Sequence, residues 1–374
     1  MIKPAHYLNN LNELGVNFFA GVPDSLLKEF CACVSEKCDQ DTHLITANEG
    51  GAIALGIGYY LGTRNIPMIY LQNSGLGNII NPILSLASEE VYGIPMLIMV
   101  GWRGEPGVKD EPQHVHQGRV MVESLEAMDL PYVVLSLDEK TAVEQTQNAL
   151  GLAREKMSPV VIVVQKNSFE SFPVERPLYD LELSREEAVI AVAEMLPEDG
   201  VVVCTTGMSS RELFEFRAGT SQGHHRDFLT VGGMGHASQI ALGLCKAQPE
   251  RPTYCFDGDG AVLMHMGSLA IIGQSAAVNL IHIVFNNGVH DSVGAQPTVG
   301  FGIDFCQIAI ACGYVSATKV KSVEDIAQAI EFASNDLGPH FIEVYVRPGS
   351  RDDIGRPTTT PAQNKDAFME YLGV

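Results

Sequence analysis

The residues best suited to chemistry are Asp259, set between two glycines in FDGDGA, and the amide pair Asn286-Asn287 that ends the next apolar run. The run 253–256 reads as a strand delivering Gly258-Asp259-Gly260; a helix-length segment follows, and 280–285, apolar apart from His282, reads as a second strand. In a parallel α/β sheet both strands finish on one edge, so carboxylate and amide meet there. A carboxylate oxygen, an amide oxygen and nearby main-chain carbonyls make an all-oxygen donor set. Such a set suits a hard cation such as Mg²⁺, which keeps positions open for water and phosphate oxygens. Gly258 and Gly260 permit close main-chain approach, and the N–H groups that open the next helix, around Ala261, favour an anion. The chemistry these residues fit is a magnesium-bound diphosphate.

A second carboxylate, Glu49, heads the Gly- and Ala-rich segment EGGAIALGIGYYLGT, where a helix dipole favours it and where capping alone would account for it. The stretch VGGMGHASQIALG offers three close glycines and one bulky apolar side chain, Met234. TTGMSS, with Ser209 and Ser210 at a helix start, can clamp a phosphate or simply cap the helix.

These groups must be positioned by elements that alternate along the chain. Helices are expected at 3–15, 25–37, 49–63, 79–87 and 139–156, and strands at 16–21, 43–47, 66–72, 96–101, 132–135 and 160–165. The segment 102–119 reads as a long polar loop. The Gly-rich helix 49–63 is apolar enough to be buried nearly all round. After a Pro-bearing linker at 168–183, helices at 185–196, 211–217, 237–246, 305–312 and 323–335 alternate with strands at 201–204, 228–231, 253–256, 280–285, 314–317 and 341–346. The fold class is α/β, two doubly wound parallel-sheet domains over 1–167 and 184–374. A net charge of −21 and a pI near 4.8 argue against nucleic acid and anionic membranes as partners, though not against an anionic small molecule. No apolar run approaches the roughly 18 residues of a membrane span, and MIKPAHYLNN is no signal peptide. Eight cysteines without a CxxC pair suit reduced, packed thiols and a cytoplasmic setting.

The Gly-Asp-Gly and Asn-Asn pattern resembles the signature of the thiamin-diphosphate enzymes, and the resemblance covers nearly all of the chain. It implies thiamin diphosphate and Mg²⁺ as cofactors, bound by a pyrimidine domain (1–167) and a diphosphate domain (184–374). NEGGAIALGIGYYLG is similar to the helix whose leading Glu, here Glu49, bonds N1′ of the aminopyrimidine and so activates C2 of the thiazolium. Met234 matches the residue that wedges between the two cofactor rings, and the Gly232 carbonyl the acceptor for the 4′-amino group. Gly207, Met208, Ser209 and Ser210 fall where a second diphosphate clamp lies. The family's metal ligands map to Asp259, Asn287 and the Val289 carbonyl. The interval runs one residue longer than in many relatives, so a slip to Asn286 and Gly288 stays open.

Loops at strand ends carry the remaining candidates: GVPDS, QNSGLGN, GWRGEPGVKDEPQHVHQGR, HDSVG and RPGSRDDIGRPTTTP. With no room for a third domain, the chain is similar to the two-domain decarboxylases of the family, which act on pyruvates bearing a phosphonate or sulfonate and serve phosphonate biosynthesis in the first case. Such a doubly anionic keto acid needs Arg and His donors. Asn73, Ser74, Arg103, Arg119 and Arg351 are the candidates for binding it. His114, His116 and His290 are candidates for proton transfer, with Asp24 and Ser25 orienting. His114 and His116 would share a face of an extended segment. The resemblance also implies self-association, with the cofactor between subunits. A sulfonate substrate, a carboligase of acetolactate type and a non-catalytic cofactor-binding subunit are the alternatives.

Overall fold

Short runs rich in Val, Ile and Leu alternate with longer segments that carry helix caps. In the computed structural model, which describes residues 1–173 and 179–374, these become strands and helices in turn. Two compact units result, Met1–Arg176 and Pro177–Val374.

The first unit contains α1 (Pro4–Glu13), β1 (Phe19–Gly21), α2 (Lys28–Lys37), β2 (His43–Ile45), α3 (Glu49–Thr63), β3 (Met68–Gln72), α4 (Leu76–Pro82), β4 (Leu97–Gly101), α5 (Pro112–Ala127), β5 (Tyr132–Val134), α6 (Glu139–Lys156) and β6 (Val160–Val164). All its strand pairs are parallel, in the order β2-β1-β3-β4-β6-β5. Every residue of LIMVG in β4 and VVIVV in β6 is buried, as expected of parallel strands covered on both faces. Ile2, Phe19, Phe30 and Phe169 pack on one side, and Ile53, Ile69, Ile98 and Val163 on the other.

The second unit contains α7 (Arg185–Met195), β7 (Val201–Cys204), α8 (Met208–Gly219), β8 (Asp227–Leu229), α9 (Ala237–Ala247), β9 (Thr253–Gly258), α10 (Asp259–Met264), α11 (Gly267–Gly273), β10 (Leu280–Asn286), β11 (Val289–His290), β12 (Gln296–Pro297), α12 (Phe305–Cys312), β13 (Ser316–Val320), α13 (Val323–Ser334), β14 (His340–Tyr345) and α14 (Pro361–Leu372). Its main sheet runs β13-β14-β10-β9-β7-β8, again all parallel. With β11 and β12 set aside as a separate hairpin, this is the first unit's strand order read from the other end. The two halves share one topology.

Four expectations change. The segment 102–119 is not all loop, because α5 begins at Pro112. The helix after TTGMSS starts at Met208, so Ser209 and Ser210 lie inside its first turn. Of the fifteen residues of α3 only Glu49, Ala52, Ile53 and Gly56 are buried and six are exposed, so one side of this apolar helix faces outward. The hairpin β11–β12 had no strand-length pattern to announce it. Of the linker expected at 168–183, residues 174–178 lie outside the described ones. Phe169 and Phe172 pack into the first unit's core and Leu183 into the second's. Among the described residues no helix is long and apolar enough to cross a membrane.

Candidate active site

Strand β9 ends at Gly258, which is the N-cap of α10, so Asp259 opens that helix with its carboxylate buried. Phe285 of β10 stands beside Gly258, which sets Asn286 and Asn287 at the same sheet edge. The Asp259 carboxylate takes hydrogen bonds from the Thr298 hydroxyl and from main-chain N–H groups of Asn287 and Gly260. Burial raises its pKa to about 6. These partners are all neutral, and a buried carboxylate without a counter-charge is what a bound cation would stabilise. The donor set therefore fits Mg²⁺.

The two asparagines differ. Asn286 is turned inward: its Nδ2 donates to Gly300 O at 2.9 Å and Glu343 Oε1 at 2.8 Å, and its Oδ1 accepts from Gly288 N at 3.2 Å. Asn287 donates through Nδ2 to Asp291 Oδ2 at 2.7 Å, and its Oδ1 accepts one bond from Val289 N at 3.1 Å, leaving capacity for another partner. In the β11–β12 hairpin, the carbonyls of Gly288 and His290 accept from Thr298 N at 2.8 Å and Ala295 N at 3.1 Å. Alternation along a strand points the intervening Val289 carbonyl the other way.

Behind this edge lies a charged network that the sequence reading missed. The Arg185 guanidinium, buried at the start of α7, grips Glu212 of α8 through Nε and Nη2, at 3.0 and 2.9 Å. Its Nη1 bonds Asp291 Oδ2 at 2.5 Å, the oxygen that also holds Asn287. Gly349 N reaches Asp291 Oδ1 at 3.1 Å.

Met234 and His290 close on Gly260: a Cβ there would lie 2.6 Å from His290 Cε1 and 3.3 Å from Met234 Cε. Only glycine fits. His290 is partly buried, and desolvation lowers its pKa to about 4. Gly232 lies in the turn before α9, beside Gly233 and Gly235, whose φ values of 64° and 84° suit glycine. Gly207, with φ 110°, caps α8, and the Ser210 hydroxyl donates to Thr205 O at 2.6 Å. Arg351 is surrounded by Glu186, Glu215 and Asp353, one for each nitrogen, which corrects its expected role as an anion donor.

In the first unit Glu49 is buried at the start of α3, with Asn48 as N-cap accepting from Gly51 N at 2.8 Å. Asn78 Nδ2 donates to Glu49 Oε2 at 2.6 Å. A Cβ on Gly75 would stand 2.4 Å from Glu49 Oε1, so glycine is needed for the carboxylate to occupy this place.

Asp24 is fully buried and its pKa is raised by desolvation. It accepts from Gln72 Nε2 at 2.6 Å, and Gln72 Oε1 accepts from Ser74 at 2.7 Å. Arg103 donates from Nη1 to Ser25 Oγ at 2.6 Å and is clasped by both oxygens of Asp110. Asn73 fixes the main chain of Arg103 through bonds of 2.7 and 3.1 Å. Ser25, Arg103 and Asp110 line a cavity of about 400 Å³ together with Lys28, Lys109 and Lys166.

The two loop histidines do not share a face. In a helix, residues two apart point in opposed directions, so α5 buries His114 and exposes His116, which meets Arg119 at 3.1 Å. Burial, aided by Arg103, lowers the His114 pKa to about 4, and its Nδ1 has no partner among the described residues.

Residues 5–128 match the N-terminal TPP binding domain of thiamine pyrophosphate enzymes, and residues 205–344 the C-terminal TPP binding domain. The chain is 36% identical to a phosphonopyruvate decarboxylase of Streptomyces viridochromogenes, over 100% of this chain and 95% of that protein. Identity is 34% to a phosphonopyruvate decarboxylase of Streptomyces hygroscopicus, over 99% and 94%. A sulfopyruvate decarboxylase of Methanosarcina acetivorans is 28% identical, over 97% and 96%. With both cofactor-binding domains matched and two relatives above 30% identity aligned almost end to end, the chain belongs to the thiamine pyrophosphate enzymes, as a decarboxylase of the phosphonopyruvate decarboxylase family.

Proposed function

We propose that the protein decarboxylates 3-phosphonopyruvate to phosphonoacetaldehyde and CO₂, with Mg²⁺ alongside its thiamin diphosphate, as a cytoplasmic enzyme of phosphonate biosynthesis. The observation that carries the substrate is the higher identity to the two phosphonopyruvate enzymes, 36% and 34%, than to the sulfopyruvate enzyme, 28%. Fusion of both halves in one chain does not separate them, because the Methanosarcina relative is also matched along its whole length. Bound thiamin diphosphate supplies the electron sink that accepts the pair released as CO₂ departs.

The chain's residues do the rest. Asp259, the Asn287 side chain and the Val289 carbonyl would hold Mg²⁺. The inward-turned Asn286 and the hairpin-bonded Gly288 carbonyl speak against the slipped register. Gly258, where a Cβ would meet nothing, would leave room for the diphosphate beside Gly260 and Ala261, and Gly207, Met208, Ser209 and Ser210 would border it on the other side. Met234 would support thiamin diphosphate, and the Gly232 carbonyl would accept from its amino group. Glu49 exchanges a proton with the pyrimidine ring, oriented by Asn78. Asp24, Ser25, Asn73, Ser74 and Arg103 receive the doubly anionic keto acid, with Arg119 and His116 at their margin. His114 in the first unit and His290 in the second, both neutral at pH 7, each relay protons as neutral imidazoles.

The domains in this reading are a pyrimidine domain over 1–167, a linker over 168–183 and a diphosphate domain over 184–374. The protein self-associates through the outward apolar side of α3 and its neighbours, where Leu61, Ile80, Leu84, Val91 and Tyr92 are exposed. The test is to compare kcat/KM for 3-phosphonopyruvate, sulfopyruvate and pyruvate under one set of cofactors. The phosphonate is expected to lead by at least about tenfold, a difference of about 1.4 kcal/mol. A lead for sulfopyruvate, or acetolactate formed from pyruvate, would reject the assignment.

A further inference from the structure

We propose that Cys255, Asp257 and His282 form a second divalent-metal site in this protein, of zinc type, buried in the second unit and separate from the magnesium position. Cys255 and Asp257 are two residues apart on β9, so their side chains share one face of the sheet. His282 on β10 is the direct lateral neighbour of Cys255. One ligand atom from each of the three lies within 4.8 Å of the others, and all three residues are buried.

The hydrogen bonding around the cluster is one-sided. The outer nitrogen of the imidazole, Nδ1, meets the Tyr314 hydroxyl at 3.1 Å, and the outer carboxylate oxygen, Oδ1, accepts from Gly258 N at 3.0 Å. The two inner atoms, His282 Nε2 and Asp257 Oδ2, are buried with no hydrogen-bond partner among the described residues. They stand 3.5 Å apart, longer than the usual N–H···O range. Two ligands on one tetrahedral zinc, each bound at about 2.0–2.1 Å, lie roughly 3.3–3.5 Å apart. The spacing is that of two metal ligands.

An ion between these atoms would satisfy lone pairs whose burial is otherwise unfavourable. A thiolate and a carboxylate would together cancel its charge, which lets the ion sit in an apolar surround of Val203, Val284 and Phe341. Sulfur and imidazole donors select zinc or cobalt over magnesium, whereas the oxygen donors around Asp259 select magnesium. Tyr314 plays the outer partner that fixes a metal-bound imidazole in one orientation. Three protein donors leave a fourth position for water. Because β9 runs from Cys255 through Asp257 to Gly258, the N-cap of the helix that Asp259 opens, such an ion would pin the strand end that leads directly into the magnesium ligand.

The experiment is to produce the full-length protein in medium containing Zn²⁺ or Co²⁺, dialyse it against a chelator and measure retained metal and visible absorption. Wild-type protein is expected to keep one equivalent per chain, and the cobalt form to show thiolate-to-cobalt charge transfer. Cys255→Ser and His282→Asn are expected to lose both signals, while Asp259→Asn keeps them, which distinguishes this site from the magnesium position. Wild-type protein holding no transition metal after expression with Zn²⁺ or Co²⁺ would overturn the proposal. So would charge transfer that survives in both variants. The wild-type measurement decides the matter even where a variant fails to fold.

Discussion

Glu49 and Gly75 show how one carboxylate is held ready. Its oxygen is fixed by Asn78, and its place is open only because residue 75 lacks a Cβ. Glu49→Gln keeps the shape and removes the exchangeable proton. Turnover, measured as CO₂ release, is expected to fall by about 10²–10⁴, with cofactor binding retained; full activity would reject the role of Glu49. Gly75→Ala is expected to lower kcat by roughly tenfold or more by displacing the same carboxylate, an effect absent from Gly77→Ala, where a Cβ meets nothing. His114 gives a pH dependence whose sign follows from burial. Its pKa falls from 6.5 in the open chain to about 4 in the fold, with Arg103 adding to the burial and Asp110 opposing it. The unfolded chain therefore takes up a proton that the folded one refuses, so this stabilisation is complete above about 6.5 and lost as pH falls towards 4. In His114→Gln, chemical unfolding followed across that window is expected to show a shallower acid-side loss of stability than in the wild type.

Elements explain why some of this was legible and some was not. The central strands of both sheets announced themselves, because VVIVV and LIHIVF are buried on both faces and need no alternation. Asp259 and the Asn pair were legible for the same reason: parallel strands put their ends together. Helix α5 was not, because its buried positions are His114, Gly118, Met121 and Leu125. Their spacing is helical, but a histidine and a glycine hide the apolar stripe, and Pro112 at the start reads as a loop until it is recognised as a first-turn residue. The Glu212–Arg185–Asp291 network joins α7, α8 and the segment after β11, and no sequence spacing links those positions. Its effect is testable on the element it holds. Asp291→Ala removes the acceptor that turns the Asn287 amide, and Mg²⁺ affinity is expected to drop by about 10–100-fold. Asp291→Glu should recover part of it, and unchanged affinity would show that Asn287 is not held this way.

At the scale of the molecule, two units with one strand order each offer one buried candidate carboxylate at a helix start: Glu49 heads α3 in the first, and Asp259 heads α10 in the second. The outward apolar side of α3 was read from sequence as buried, and a second copy of the chain supplies that burial in our account. Leu84→Arg is expected to yield monomers by light scattering and to lose activity with them. The central claim is the reaction. The most direct measurement is phosphorus NMR of the purified protein with thiamin diphosphate, Mg²⁺ and 3-phosphonopyruvate, with CO₂ collected in parallel. The account predicts phosphonoacetaldehyde and CO₂ in equal amounts, both abolished by chelation and restored by Mg²⁺. An unchanged substrate signal, from protein shown to bind the cofactor, would contradict it.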